Sequence, residues 1–256
     1  MFKIATWNVN SLRVRLAQLL DWLQAHSPDV LALQETKLVD EEFPEEMFFD
    51  IGYRAVFSGQ KTYNGVAIIS KSPTTRVVTD FPSFTDPQRR ILLANFDKLS
   101  VLNLYVPNGS EVGSEKYHYK LEWLTHLQSF VDAALDQVLN LVMLGDFNIA
   151  PADADVHDPQ EWQGKVLVSD AERAHFFQLT AKGMVDCYRL FDREGKEFSW
   201  WDYRAASFRR NRGLRIDHIL ASRDLALRCR SCTIDKAPRK AEKPSDHTPV
   251  VAEFDI

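Results

Sequence analysis

The chain has 256 residues, 45% of them hydrophobic and 26% charged, with a net charge of −5; that length suits one large α/β domain or two small ones with a substantial core. No apolar run approaches the roughly 18 residues of a membrane span. Met1–Asn8 shows no charged region followed by an apolar one, and three cysteines are too few and odd in number for a disulfide framework, so membrane-spanning, secreted and disulfide-stapled classes are set aside and a cytosolic protein is expected.

Phe2–Val9 alternates around Ile4 and Trp7 and is predicted as a strand. Ser11 is predicted to N-cap a helix carrying Leu12, Leu16, Leu19, Leu20 and Leu23, which Pro28 closes. Val30–Leu33 is a short apolar strand ending in Gln34 and Glu35. Asp40–Asp50 follows, with six acids and no base. Strands are predicted at Tyr53–Phe57, Val66–Ser70, Ile91–Phe96 and Val101–Val106. The spacing of Leu121, Leu124, Leu127 and Val131 predicts a helix over Lys116–Leu135, followed by a buried strand at Leu141–Leu144. Asp170–Lys182 is predicted as a helix stopped by Gly183. The last strands are Arg215–Ala221, Leu227–Ile234 and Val250–Phe254. Cys229 and Cys232 read as two thiols on one strand. No repeat, low-complexity tract or linker divides residues 1–256, which are expected to form one domain. The order opens β-α-β and then offers consecutive strands, which favours layered sheets with outer helices over a purely parallel sheet.

Polar residues collect at the strand ends. Asn8 and Asn10 end the first strand and Glu35 the second. Tyr105 and Asn108 follow another in "NLYVPNG". Asp146 and Asn148 follow the next in "LVMLGDFNIAP". Asp217 lies in "RIDHIL", and Asp246 and His247 in "SDHTPV". An isolated Asp after a strand is more often a cap or turn residue. Six such ends together point to one shared site, because ligand sites in α/β folds gather where strand ends meet loops. Carboxylates and amides without a cysteine or histidine cluster suit a hard cation, Mg²⁺ or Mn²⁺, rather than zinc. Glu35 and Asp246 are candidates to hold it, which leaves the other Asp residues for proton work. No nucleophile-elbow or phosphate-loop motif is present. His218 adjoins Asp217 and is expected to face away from it, as strand neighbours do. Asp153 and Asp155 are expected in loop structure or in support of the site.

The acidic net charge argues mildly against nucleic acid, but its distribution matters more. Trp201–Arg215 holds Arg204, Arg209, Arg210, Arg212 and Arg215 against one acid, Asp202, with Trp200, Trp201, Tyr203 and Phe208 interleaved or adjacent. Arginine with aromatics is the composition that contacts phosphates and stacks on bases.

The motifs "WNVNSLR" (7–13), "LQETK" (33–37), "NGVAI" (64–68), "LYVPNG" (104–109), "GDFNIAP" (145–151), "FSWWDYR" (198–204), "NRGLRIDHIL" (211–220) and "SDHTPV" (245–250) occur in the order found in exonuclease III-type enzymes. Over essentially its whole length the chain resembles a bacterial member of that AP endonuclease family, within the endonuclease/exonuclease/phosphatase superfamily. The tryptophan-rich segment and "NRGLRID" are the motifs more specific to its DNA-repair branch. The resemblance implies a four-layer α/β sandwich with two packed central sheets. It also implies metal-dependent phosphodiester hydrolysis on double-stranded DNA: removal of 3′ nucleotides and 3′ blocks, and incision at abasic sites in base excision repair. By motif match, Glu35 would bind the metal with Asn8 nearby and Asp246 close to metal or water. Asp146 would orient or deprotonate the attacking water, Asn148 and Tyr105 would hold the phosphate, and Asp217 would fix His247. DNA contacts would fall to Arg89, Asn108, Lys116, Trp200, Arg204, Asn211, Arg212 and Leu214. Asn10 stands where some relatives carry an acid, and Ser11 where Gly is frequent. A monomer is expected.

Two other readings stay open. A phosphatase or sphingomyelinase of the same superfamily explains Glu35, Asp146 and His247 equally well, but not the Arg/aromatic segment. A DNA- or protein-binding module that has kept the fold without the chemistry should have lost some of the six strand-end residues, and this sequence has lost none.

Overall fold

The structure, a computed structural model, describes residues 1–138, 140–191 and 196–256. In chain order its elements are β1 (Phe2–Asn8), α1 (Leu12–His26), β2 (Val30–Gln34), α2 (Glu45–Phe49), β3 (Arg54–Ser58), β4 (Val66–Ser70), β5 (Arg76–Val78), β6 (Ile91–Asn95), β7 (Ser100–Tyr105), α3 (Glu115–Leu135), β8 (Leu141–Asp146), α4 (Pro159–Trp162), α5 (Asp170–Ala181), β9 (Met184–Asp186), β10 (Asp217–Ser222), α6 (Arg223–Ala226), β11 (Cys229–Ile234) and β12 (Val250–Phe254).

The strands form two six-stranded sheets, ordered β11-β12-β1-β2-β4-β3 and β5-β6-β7-β8-β10-β9. Both sheets carry the same pattern of directions. One central pair is parallel (β1 with β2, β7 with β8), and every other pair is antiparallel. Each parallel pair needs a long crossover, supplied by α1 in one sheet and α3 in the other.

Three apolar layers hold four layers of structure together. Ile4, Ala32 and Ile68 of one sheet meet Leu92, Val101, Leu144 and Ile219 of the other between the sheets. Leu12, Leu19 and Leu23 of α1 cover Ala5, Trp7, Leu31 and Leu33 on one outer face. Trp123, Leu127 and Val131 of α3 cover Leu102, Leu104 and Met143 on the other. The result is the α/β/β/α sandwich expected from the sequence. Strands covered on both faces read as continuous apolar runs, which explains why "VLALQ" and "LVMLGD" lack polar alternation.

A polar staple crosses the middle layer just beneath the strand ends. Gln34 Nε2 donates to Thr6 Oγ1 (2.9 Å) and to Asn103 Oδ1 (2.7 Å) across the sheets. Asn103 Nδ2 donates to the Leu33 and Ala67 carbonyls at 2.9 Å each. Unpaired amides there would cost stability, whereas paired ones fix how the two sheets register.

Most predicted elements lie within about two residues of the observed ones, the usual disagreement at element ends. Helix α3 begins at Glu115 rather than Lys116, because Ser114 is the cap, accepting from Tyr117 N. The Ser11 cap is corrected. Ser11 occupies the cap position, but with φ 90 and no side-chain cap hydrogen bond. The start of α1 is satisfied instead by backbone: Ser11 N donates to the Glu35 carbonyl (2.8 Å) and Leu12 N to that of Thr36 (3.1 Å). Cys229 and Cys232 sit on β11 as thiols, as read. Among the described residues no helix is long and apolar enough to cross a membrane.

Candidate active site

The two parallel pairs end together. Asn8 is level with Gln34, and Tyr105 with Asp146. Asn8 Nδ2 donates to Asp146 Oδ2 at 2.9 Å and so joins the two sheets at this edge. Here the backbone turns into the left-handed region at Asn10 (φ 43), Glu35 (φ 53), Lys37 (φ 55) and Asn148 (φ 49). Such residues cost roughly 1–2 kcal/mol each and cluster where surrounding structure holds them for a purpose. The surroundings are visible. Thr36 N and Lys37 N donate to the Gly65 and Asn64 carbonyls, and Asn148 N donates to Asp146 Oδ1 at 2.9 Å. Gly145 is required at its position. It has φ +138, and an added Cβ there would lie 2.0 Å from the Leu104 carbonyl oxygen.

Asp146, Asp217 and His247 are 1%, 1% and 4% exposed, so their charges must satisfy one another. His247 Nδ1 lies 2.9 Å from Asp217 Oδ2 and 3.1 Å from Oδ1, and Nε2 lies 3.7 Å from Asp146 Oδ2. Burial works against the imidazolium. Asp217 and then Asp146 outweigh it, and the His247 pKa is raised to about 10. The Asp146 carboxyl is raised above the usual range, first by burial and then by Asp217, with His247 pulling the other way.

Two serines unnoticed in the sequence set this triad. Ser199 Oγ accepts from the backbone N–H groups of Ile216 and Asp217. Ser245 Oγ donates to the Asn8 carbonyl at 2.7 Å and accepts from His247 N. His218 faces the other way, as expected. Its Nε2 is 2.9 Å from the Ile149 carbonyl, and burial followed by Arg215 lowers its pKa to about 4.

Glu35, Asp146 and His247 bring ligand atoms within 4.8 Å of one another. With Nδ1 held by Asp217, His247 turns Nε2 toward this group, and the Glu35 and Asp146 carboxylates supply its oxygen donors. That set fits a hard divalent cation. The Asn8 oxygen accepts from Asn10 N, while its nitrogen donates to Glu35 Oε1 (2.9 Å) and to Asp146. Asn8 therefore ties the carboxylates together here rather than presenting an oxygen. Asp246 stands outside that group and accepts from Asn10 Nδ2 (2.9 Å) and Trp200 Nε1 (3.0 Å). Lys37, given no role in the sequence reading, reaches Glu35 Oε2 at 2.9 Å and donates to Asn10 Oδ1 at 2.6 Å.

On the other side, Arg90 stacks 4.6 Å over the Tyr105 ring. Burial, and then the Glu35 charge, hold the Tyr105 phenol well above its ordinary pKa, so it stays a hydrogen-bond donor. Asn108 Nδ2 donates to Asn148 Oδ1 at 3.0 Å. Asn148 Nδ2 donates to the Val106 carbonyl and to Asp146 Oδ2.

The residues implied as DNA contacts are spread around this edge. Lys116 is exposed on the first turn of α3. Arg89 pairs with Asp80 at 3.1 Å. Arg204 is exposed and chelated by Asp202, and Arg212 pairs with Glu161 at 2.6 Å. Asn211, left-handed at φ 51, accepts from Trp201 Nε1. Half-buried Trp200 pairs through backbone with both Leu214 and His247. Leu214 is wholly buried in an apolar group with Ala150, Val156 and Leu167, so it backs Trp200 rather than reaching the surface.

Two members of the Arg/aromatic segment are corrected. Arg215 is 1% exposed, bonded to Asp155 (2.6 Å) and Asp186 (2.7 Å), and lies over Tyr188. Buried Asp155 and partly buried Asp186 neutralise it, and it anchors the chain just before Asp217. Trp201 is wholly buried against Phe208.

A buried carboxylate facing an Asp-held imidazolium, at the joined strand ends of two packed sheets, defines an α/β-sandwich hydrolase. Residues 5–247 match the model of the endonuclease/exonuclease/phosphatase family, and the chain belongs to that family, in its exonuclease III-type branch. Exodeoxyribonuclease III of Haemophilus influenzae is 38% identical, with 98% of this chain and 99% of that protein covered. A Neisseria 3′ phosphatase bound to a product DNA hairpin is 46% identical, with a TM-score of 0.98 over 100% of both chains. An AP endonuclease from Archaeoglobus fulgidus is 41% identical, with a TM-score of 0.96 over 100% of both.

Proposed function

We propose that this chain is a Mg²⁺- or Mn²⁺-dependent phosphodiesterase of double-stranded DNA. It removes 3′ nucleotides and 3′ blocks and cuts at abasic sites in base excision repair, as a cytosolic monomer. The observation that carries this reading is the buried Asp146 carboxylate, faced by the His247 imidazolium at 3.7 Å and hydrogen-bonded by Asn8 and Asn148.

Asp146 takes a proton from the attacking water. Its raised pKa suits it to the task, since a base works best when its pKa is near the operating pH. His247 donates from Nε2 to the phosphoryl oxygens as charge builds, while Asp217 holds the ring from Nδ1. Asn148, steadied by Asn108, and the protonated Tyr105 hydroxyl orient the phosphate. Glu35 would hold the cation, with Asp146 beside it. When bound, the metal would supply positive charge to the phosphate and its leaving oxygen. Exposed Lys116, Arg209 and Arg210, with Arg204 and Arg212 at the cost of their acidic partners, face the DNA backbone; the DNA-bound Neisseria neighbour supports DNA as the partner.

A salt titration tests the substrate class. In EDTA, log affinity for a duplex with a recessed 3′ end should fall against log salt with a slope of about −0.9 for each phosphate contacted, so about −4.5 for five contacts. A flat line, with tight binding of an inositol phosphate instead, would move the chain to the phosphatase reading.

A further inference from the structure

Lys120 is a lysine with no exposure at all, on the inner face of α3. Burying an ammonium costs several kcal/mol unless it is fully partnered. An ammonium has three donors, and Lys120 uses three acceptors. Nζ donates to the Asn148 carbonyl at 2.7 Å, to the Asn108 carbonyl at 3.1 Å and to Glu172 Oε1.

Glu172 is equally buried and equally engaged. It accepts from Leu167 N (3.0 Å), Ser169 N (3.1 Å) and Ser169 Oγ (2.6 Å), and forms a capping box at the start of α5. One ion pair thus joins the segments that follow β7 and β8 to the segment that enters α5. Buried pairs are often matched in stability by apolar residues of the same size, so stability alone is a weak reason for this one.

Its position gives a better reason. The two carbonyls it grips belong to Asn108 and Asn148, whose side chains meet at 3.0 Å beside Asp146. Asn148 is left-handed, a conformation that needs holding. We propose that Lys120, neutralised by Glu172, is a positioning residue that sets the Asn108–Asn148 pair against the scissile phosphate. This rests on the reading above that those asparagines orient the phosphate.

A double-mutant cycle in the full chain tests it, read as the single-turnover rate on a duplex ending in a 3′-phosphate, with Mg²⁺. The paired variant K120M/E172Q removes both charges and strands neither, and Asn148→Ala removes the side chain that orients the phosphate while keeping the carbonyl that Lys120 holds. Each should slow the reaction by about 10- to 100-fold. Combined, they should be within about threefold of Asn148→Ala alone, because residues acting through one another are not additive. If the two losses multiply, Lys120 acts on stability or elsewhere, and the inference fails. If Asn148→Ala is as fast as the parent, it is the phosphate role of the asparagines that fails. Should the paired variant not fold, K120Q/E172Q, which also strands no charge and keeps two donors at position 120, runs through the same cycle with the same two readings.

Discussion

Asp146→Asn should reduce the hydrolysis of a 3′-phosphate or recessed 3′ end by about 10³-fold or more, the upper part of the range for a lost general base. The fold should survive. Burial raises the Asp146 pKa above its unfolded value, so its ionisation works against the folded state at neutral pH. Removing that charge offsets the weaker hydrogen bonds an amide makes to Asn8 and Asn148, and stability should change by no more than about 1 kcal/mol. Turnover with a Mg²⁺-saturated duplex, beside a urea unfolding curve, checks both halves. Turnover near that of the parent would remove Asp146 from the role given to it.

His247→Gln should cost about 10²- to 10³-fold in rate, since one preorganised donor to developing charge is worth that much. Its protonation can be watched directly. With a pKa raised to about 10, both ring nitrogens should carry protons at pH 7.5 in ¹⁵N NMR, and a neutral ring at that pH would contradict the imidazolium. Stability follows with a definite sign. The folded pKa lies above the unfolded value near 6.5, so the charge stabilises fully below pH 6.5 or so. That contribution is lost as pH rises toward 10. The stability gap between parent and His247→Gln should therefore narrow from pH 6 to pH 10.

Much of this site was legible because of where its residues sit in the chain. Asn8, Glu35, Tyr105 and Asp146 each fall at or beside the end of a predicted strand, and polar residues collecting at strand ends are conspicuous in one dimension. Layered sheets with outer helices were legible from the order of elements, β-α-β and then consecutive strands, while the four-layer arrangement with two packed central sheets came from the family resemblance. What stayed hidden depends on partners far away in sequence. Lys120 lies among Leu121, Leu124 and Leu127, where a helix lysine is ordinarily solvated. Only Glu172 and two carbonyls from other loops show that it is buried. Arg215 looked like one more cation in a basic segment because Asp155 and Asp186, which neutralise it, are 60 and 29 residues away in sequence. Ser11 has the right chemistry for a cap, but the carbonyls of Glu35 and Thr36 had already taken that task. The repeated pattern of the two sheets left no trace as a sequence repeat, because it lies in strand direction and order rather than in side chains. Short pieces such as β5, β9 and α2 are too brief for periodicity to register.

The most direct measurement is a single cleavage panel with the purified chain, run with Mg²⁺ and with EDTA. Its four substrates are a recessed 3′ end, a 3′-phosphate end, an abasic duplex and an inositol phosphate. The expected result is Mg²⁺-dependent cleavage of the DNA substrates, abolished by EDTA, with the inositol phosphate untouched. Failure to cut any of the DNA substrates with the metal present would contradict the assignment of Glu35, Asp146, Asp217 and His247 to DNA phosphodiester hydrolysis.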